Sequence, residues 1–145
     1  MDYYVKSFSE LSTKEFYEIA KLRIAVFVVE QTCPYQEIDA YDEQAVHIWM
    51  QERQTIIGYT RIIDQDTTVT FGRVIIHPDH RGKKLGNQLL EKTLAVIKTQ
   101  MPDKPIVISA QAHLVDFYGT YGFVPVSDVY LEDDIPHIRM RKERQ

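Results

Sequence analysis

The sequence predicts an α/β domain in which a mixed, mostly antiparallel sheet of about six or seven strands is flanked by helices. Three observations support this fold class. An amphipathic helix precedes a run of extended segments, a second helix lies between two apolar strands, and a shorter helix precedes the last strands. The chain has 145 residues, 44% of them apolar or aromatic, which suits one domain with a hydrophobic core. We therefore expect residues 1–145 to form a single domain.

The first helix is predicted from its start signal. Ser12 stands three positions before Glu15, which is the spacing of a capping box, and apolar residues then recur at helical spacing as far as Phe27. A short strand at residues 3–8 precedes this helix. Residues 31–44 show no apolar period, so we predict loop or short irregular helix there.

The middle of the chain predicts strands followed by a βαβ unit. Extended segments at residues 47–51, 56–63 and 69–76 are separated by turn residues and indicate an antiparallel meander. The helix predicted at residues 84–99 leads to the apolar run 106–110, and such a crossover joins parallel strands. A shorter helix and two strands are predicted last, at residues 113–121, 123–126 and 137–141.

Composition argues against several classes of partner. The formal net charge of −4 does not suit a nucleic-acid-binding surface, which needs many Lys and Arg on one face. No apolar run approaches the roughly 20 residues that span a bilayer, and the first residues lack the pattern of a secretory signal. The single cysteine, Cys33, rules out an internal disulfide. We therefore expect a cytoplasmic protein with neither nucleic acid nor a membrane as its partner.

The junction between the third predicted strand and the second helix points to phosphate binding. It contains Gly82 and Gly86, and no Asp or Glu occurs from Arg81 to Leu90, although acids are favoured in the first turn of a helix. Free amides at a helix N-terminus bind phosphate, and glycine allows phosphate to approach the backbone. The junction has neither Gly-x-Gly-x-x-Gly nor a Walker lysine. It indicates another kind of phosphate loop, although an ordinary surface helix can begin in the same way.

This junction resembles the phosphate loop of the GNAT superfamily of acetyltransferases, whose pattern is Gln/Arg-x-x-Gly-x-Gly/Ala. Arg81 opens the matching segment and Gly86 closes it, while Lys84 replaces the middle glycine. The replacement is compatible with a loop whose contacts to phosphate are made by backbone amides.

A second segment, residues 111–123, is similar to the GNAT motif Asn-x-x-Ala-x-x-Phe-Tyr-x-x-x-Gly-Phe. It departs from that motif in Gln111 for Asn and Leu114 for Ala. Further segments resemble the ElaA-like branch of the superfamily, so that the likeness covers nearly the whole chain: residues 27–31, 34–39 and 135–138.

The resemblance implies transfer of an acetyl group from acetyl-CoA directly to an amine on a small molecule or peptide. It also implies that two parallel strands, ending near Ile76 and Ala110, splay apart around the pantetheine arm. Tyr118 matches the family tyrosine and is the candidate general acid for the departing thiolate. The candidate contacts to the cosubstrate are Val74, Ile75, Ile76, Arg81, Gly82, Lys83, Lys84, Leu85, Gly86, Asn87, Gln111 and Tyr118.

An amine acceptor must lose a proton before it attacks, because a lysine-like amine has a pKa of about 10.4. The sequence does not choose among the candidates for this base or for the acceptor site, which are Glu37, Asp39, His77, His113 and His137. A solvated carboxylate or a structural imidazole is the more common role of such residues. The histidines show no paired metal-ligand spacing, so we expect no metal.

Two other classes of function stay open at this point. The domain could bind acyl-CoA as a sensor or partner module without turning it over, or it could bind a nucleotide in a function unrelated to acyl transfer. Tyr118 favours an enzyme, although the sequence does not identify the base that an enzyme would need. Either a monomer or a homodimer is compatible with the sequence.

Overall fold

Eight strands form one sheet in the computed structural model, which describes residues 1–144. The spatial order is β1-β2-β3-β4-β5-β8-β6, with β7 paired to β8, and every pair is antiparallel except β4 with β5. The strands are β1 (Asp2–Ser7), β2 (Val46–Glu52), β3 (Thr55–Asp64), β4 (Val69–Ile76), β5 (Ile106–Gln111), β6 (Val124–Pro125), β7 (Tyr130–Glu132) and β8 (Ile135–Lys142).

The predicted fold class is confirmed, and the sheet has one strand more than the larger predicted number. The additional strand is β7, which pairs with β8 over three residues. A segment this short cannot display the alternation of apolar and polar residues by which a strand is detected in a sequence.

Within residues 1–144, three α-helices flank the sheet: α1 (Thr13–Arg23), α2 (Leu85–Gln100) and α3 (Val115–Gly119). The capping box of α1 is present, because Ser12 Oγ accepts from the Glu15 amide at 3.0 Å and Glu15 Oε1 accepts from the Ser12 amide at 2.8 Å. The predicted helix does continue beyond α1, but as a π-helical segment, Ile24–Glu30. The helix expected at residues 113–121 is shorter than predicted, since a 3₁₀ turn at Ala112–Leu114 precedes α3.

Each face of the sheet supports its own apolar core. Along β2 the side chains alternate, so that Ile48 and Met50 pack on the side of α2 and α3, while Trp49 packs on the side of α1. Helix α2 covers the first side with a continuous face whose buried members are Leu85, Leu89, Leu90, Thr93, Val96 and Ile97. Leu94, in the same helix, is only partly buried.

The parallel strands β4 and β5 meet only at their first residues. Val69 of β4 is paired with Ile106 of β5, and no later position is paired. A bulge lies further along β4, where Arg73 and Val74 together stand opposite Thr60 of β3. Arg73 has a left-handed φ of 53°, and a bulge of this kind bends the strand that carries it. The two parallel strands therefore diverge towards their carboxyl ends, as predicted.

Over residues 1–144, no helix is both long and apolar enough to span a membrane.

Replacement of Ser12 by Ala should lower the free energy of unfolding by about 1 kcal/mol, because the amide of Glu15 loses its acceptor at the start of α1. Urea unfolding followed by circular dichroism measures the change. Ser9→Ala is the matched control, since Ser9 is exposed and its hydroxyl contacts only that of Ser7. Equal stability of the two variants would show that the capping box contributes nothing.

Candidate functional site

A cleft of about 820 Å³ opens between the diverging strands β4 and β5. Its walls come from these strands, the π-helical segment, the loop that follows it, α3 and the β7–β8 hairpin. Of the residues predicted to contact a cosubstrate or to act as a base, those that line the cleft are Val74, Ile75, Ile76, Arg81, Gly86, Gln111, His113, Tyr118 and His137. The remaining candidates do not line it: Glu37, Asp39, His77, Gly82, Lys83, Lys84, Leu85 and Asn87.

The predicted phosphate loop lies at the carboxyl end of β4 and leads into α2. Gly82 has a φ of 82°, and Lys84, the residue that caps α2, has a φ of 59°. Left-handed backbone of this kind favours glycine, so Lys84 adopts the conformation that a glycine would take. The first turn of α2 carries no acid, which leaves the positive end of its dipole uncompensated by side chains.

Gly86 lies where the loop meets the cleft. A Cβ atom built at Gly86 would lie 3.8 Å from Phe117 Cζ, which is ordinary van der Waals contact. Packing within the protein therefore does not require glycine at this position. An alanine would also suit a helix better, because glycine costs a helix interior about 1 kcal/mol relative to alanine.

The guanidinium of Arg81 is hydrogen-bonded to groups of the protein itself. Its Nη1 and Nη2 donate to Glu30 Oε2 and Oε1 at 2.7 and 2.8 Å, and its Nε donates to the Ile76 carbonyl at 3.2 Å. The pair ties the phosphate loop to the end of the π-helical segment. Glu30 was not predicted as a site residue, because its partner lies 51 positions away in sequence.

Tyr118 projects from α3 into the cleft. Its ring packs against Phe71, Phe117 and Phe123, and the residue is 5% exposed. Within residues 1–144 its hydroxyl has no hydrogen bond, and the residue lines the cleft. Burial raises the pKa of Tyr118 to about 12. The hydroxyl therefore keeps its proton near neutral pH and is a free donor inside the cleft.

Three arginines, one each on α1, β3 and β4, form ion pairs with three carboxylates of the loop at residues 31–45. The members of this network are Arg23, Arg61, Arg73, Glu37, Asp39 and Asp42. Formal charges in this set cancel. Such a network requires pairing throughout, because a buried charge without a partner is costly.

Glu37 lies at the centre of the network, with a side chain that is 0% exposed. Arg23 Nε donates to its Oε2 at 2.9 Å. Arg73 Nε, from the bulge of β4, lies 2.7 Å from the same oxygen, close enough for an ion pair although off the line of a hydrogen bond. The structure therefore places this candidate base in a structural ion pair and not on the cleft.

Asp39 and Asp42 complete the network. Arg61 Nη1 donates to Asp39 Oδ1 at 2.6 Å and to Asp42 Oδ1 at 2.9 Å, and Arg23 Nη1 donates to Asp42 Oδ1 at 2.6 Å. Burial alone would raise the pKa of Asp42, but hydrogen bonding and charge from Arg23 and Arg61 more than offset it and hold the pKa below its usual range. The pKa of Asp39 is lowered in the same way, against burial, by Arg61.

The three candidate histidines have different surroundings. His77 follows β4, and its Nδ1 accepts from the Asp79 amide at 3.1 Å, outside the cleft. His113 lines the cleft but is exposed. His137 lies in β8, is 7% exposed and lines the cleft, with its Nε2 3.5 Å from Glu132 Oε2.

Cys33 lines the cleft as a neutral thiol. Its Sγ lies 3.2 Å from the carbonyl of Asp133, to which it donates. Burial and the nearby carboxylates of Asp133 and Asp134 raise the pKa of Cys33. A thiol in these surroundings is a poor nucleophile. In the described part of the chain, no group of three or more His, Cys, Asp or Glu side chains is arranged to hold a metal ion.

Comparison with known proteins finds a matching family and close relatives. Residues 9–144 match the sequence profile of the family described as "Acetyltransferase (GNAT) domain". The chain is 47% identical over 140 residues to protein ElaA of Escherichia coli K12, an alignment that covers 93% of this chain and 92% of that protein.

Two crystal structures superpose closely on the fold. Escherichia coli ElaA gives a TM-score of 0.94 at 44% identity and covers 98% of this chain and 99% of that one. A protein of Pseudomonas aeruginosa described as an acyl-CoA N-acyltransferase also gives 0.94 at 44% identity, covering 97% and 98%.

Asp42→Asn should lower the free energy of unfolding by about 3 kcal/mol, because it leaves Arg23 and Arg61 buried with one carboxylate too few. Urea unfolding at pH 7 measures the loss. Glu43→Gln, which changes the exposed neighbouring acid, should cost less than about 0.5 kcal/mol.

The wild-type protein and Asp42→Asn should differ in how their stability depends on pH. Because the folded-state pKa of Asp42 is depressed, its stabilisation is complete above the unfolded-state pKa of about 3.9 and is lost as the pH falls through the lower folded-state value. Stability of the wild-type protein should therefore fall more steeply below about pH 4 than that of Asp42→Asn. Parallel curves would contradict the assignment.

Proposed function

Because the chain belongs to the GNAT acetyltransferase family, in its ElaA-like branch, we propose that it moves an acetyl group from acetyl-CoA directly to an amine. One observation carries the proposal. The cleft between β4 and β5 has an acid-free helix N-terminus at its mouth and the free hydroxyl of Tyr118 inside it. The description of the Pseudomonas aeruginosa relative as an acyl-CoA N-acyltransferase supports the same reaction class.

We place the pyrophosphate of acetyl-CoA on the backbone amides of residues 81–87, at the positive end of the α2 dipole. The side chain of Arg81 serves a different purpose there, since its pair with Glu30 holds the loop in position. The pantetheine arm lies in the gap, where its amides pair with the backbone of Val74, Ile75 and Ile76. Support for this placement comes from β4 and β5, which leave their facing edges unpaired beyond the first position.

In this proposal Tyr118 acts as the general acid. Attack of the amine nitrogen on the thioester carbon expels the coenzyme A sulfur as a thiolate, which needs a proton. A phenol that keeps its proton at neutral pH and faces the cleft can supply that proton. The acceptor is a small-molecule or peptide amine. We further expect the protein to act in the cytoplasm, as a monomer or homodimer.

Gly86→Asp should weaken acetyl-CoA binding at least about tenfold, because it puts a negative charge at the acid-free start of α2, where we place the pyrophosphate. The protein has room for the new Cβ atom, and an acid in the first turn of a helix favours the helix. Isothermal titration measures the affinity. Gly119→Asp is the matched control, because Gly119 also has room for a Cβ atom but does not line the cleft. Equal affinities would place the pyrophosphate elsewhere.

Tyr118→Phe should lower turnover about 100-fold or more and change the acetyl-CoA dissociation constant less than about threefold, since it removes the proton donor and keeps the ring packing. Tyr17→Phe, at an exposed tyrosine, should behave like the wild type. An unchanged turnover number in Tyr118→Phe would remove the assignment.

The reaction itself is tested by incubating the protein with acetyl-CoA and a panel of primary amines that includes ethanolamine, putrescine and lysine methyl ester. Free thiol is followed with time, and the acetylated amine is identified by mass. Acceptor-dependent thiol release supports the proposal. Tight binding of acetyl-CoA with no acceptor-dependent release would favour an acyl-CoA sensor instead.

A further inference from the structure

The hairpin of β7 and β8 forms the wall of the cleft next to the end of β5. Asp133 and Asp134 connect the two strands, with left-handed φ values of 51° and 62°. Two left-handed residues between paired strands make a tight turn whose twist matches that of the strands. The resulting register sets Tyr130 opposite His137, and Glu132 lies two residues along β7 on the same face.

His137 faces the side of the sheet opposite to α2 and α3. Its neighbour Ile138 packs in the core beneath those helices, and adjacent side chains of a strand point to opposite faces. Tyr130 stacks on the imidazole, with ring centroids 6.3 Å apart and an angle of 24°. Ser109 of β5 bonds to the hydroxyl of Tyr130 and donates to Glu132 Oε1 at 3.2 Å. These contacts hold the imidazole in one orientation.

The hydrogen bonds of His137 determine which ring nitrogen carries the proton. Nδ1 lies 2.7 Å from the carbonyl oxygen of Ile135, and a carbonyl can only accept, so the proton of the neutral ring is on Nδ1. Nε2 then carries a lone pair. Within residues 1–144 this nitrogen has no hydrogen bond, and it retains accessible surface. Glu132 Oε2 lies 3.5 Å from Nε2, within the distance of an ion pair.

We propose that His137 is the general base that takes a proton from the acceptor amine, and that Glu132 is the residue that positions it and stabilises its charged form. This inference rests on the proposed acetyl transfer. The other candidates are less suited. Glu37 and Asp39 are held in ion pairs with arginines and do not line the cleft, and His77 also lies outside it. His113 lines the cleft but is exposed to water.

The proton count balances with His137 and Tyr118 on the two sides of the reaction. The ammonium group of the acceptor gives one proton to Nε2 of His137, and the neutral nitrogen forms a bond to the acyl carbon. The carbon–sulfur bond breaks with its electron pair on sulfur, which takes the proton of Tyr118. The second proton lost by the nitrogen as the amide forms restores Tyr118 through solvent. His137 then releases its proton to water as the product leaves.

Within residues 1–144, several titratable or charged groups lie in or beside the face of the hairpin that carries His137. They are Tyr130 and Glu132 from β7, Asp133 in the turn, and Arg139 two residues along β8 on the same face, whereas β5 presents the neutral Ser109 and Gln111. A base acts only while it is unprotonated, so kcat/KM should fall on acidification.

The test compares kcat/KM for the fastest amine of the panel between pH 5.5 and pH 9 in four proteins. His137→Gln should lower kcat/KM about 100-fold or more at pH 7. Its kcat/KM should also keep rising up to pH 9, because without a base only the neutral fraction of an amine with a pKa of about 10.4 can react. Glu132→Gln, at a side chain that is 49% exposed, should lower it about tenfold without affecting folding. Asp128→Asn, which changes an exposed acid before β7, should match the wild-type protein. The acetyl-CoA dissociation constant should stay within about threefold throughout.

His137→Gly provides a check that does not depend on the pH profile. Added imidazole should raise the kcat/KM of this variant at least about tenfold. A merely structural role for His137 would not allow such a rescue. If His137→Gln keeps the turnover and the pH profile of the wild-type protein, this inference alone is overturned. Absence of turnover with every amine in the wild-type protein would overturn the proposed acetyl transfer, and this inference with it.

Discussion

The cleft exists because β4 and β5 lie side by side in one sheet but pair only where Val69 meets Ile106. Beyond that point their facing backbone groups have no partner in the sheet, and buried amides and carbonyls normally require one. The left-handed bulge at Arg73 bends β4 where the gap begins to widen. A linear ligand with its own amides would fit this edge. The divergence of the two strands therefore creates the space and also provides backbone groups that can bond to the amides of such a ligand.

The second constraint is the buried charge network that holds the loop at residues 31–45. Taking Arg23 and Glu37 out of water is unfavourable, and their mutual attraction offsets that cost only when every charge in the network is paired. Arg73 links this network to the bulge of β4. The loop that forms one wall of the cleft is thereby held against β4. Its carboxylates are paired with arginines inside the protein.

Two polar side chains that line the cleft, Tyr118 and His137, differ in whether they donate or accept a proton. The Tyr118 hydroxyl keeps its proton because burial raises its pKa, and it has no partner within residues 1–144. The imidazole of His137 has its proton fixed on Nδ1 and presents a lone pair on Nε2. One group donates and the other accepts, and they reach the cleft from opposite faces of the sheet. Such an arrangement suits a transfer in which one partner loses a proton and the other gains one.

Elements that depend on local periodicity and capping could be predicted from the residue pattern. The capping box at Ser12, the apolar face of α2 and the acid-free start of that helix all follow from interactions between near neighbours in the chain. The extent of the strands from β2 to β5 was predicted for the same reason. The left-handed conformation of Lys84 explains how a loop that departs from the glycine pattern keeps its shape.

Tertiary structure alone decided which of the chemically plausible side chains face the cleft. Nothing in the spacing of Glu37 distinguishes a catalytic carboxylate from one buried between two arginines, because those arginines lie on α1 and β4. Glu132 likewise belongs to a three-residue strand without a detectable pattern, and its relation to His137 depends on a hairpin register. Charges and hydrogen bonds act between atoms that the fold brings together, and residue spacing in the chain does not encode those distances.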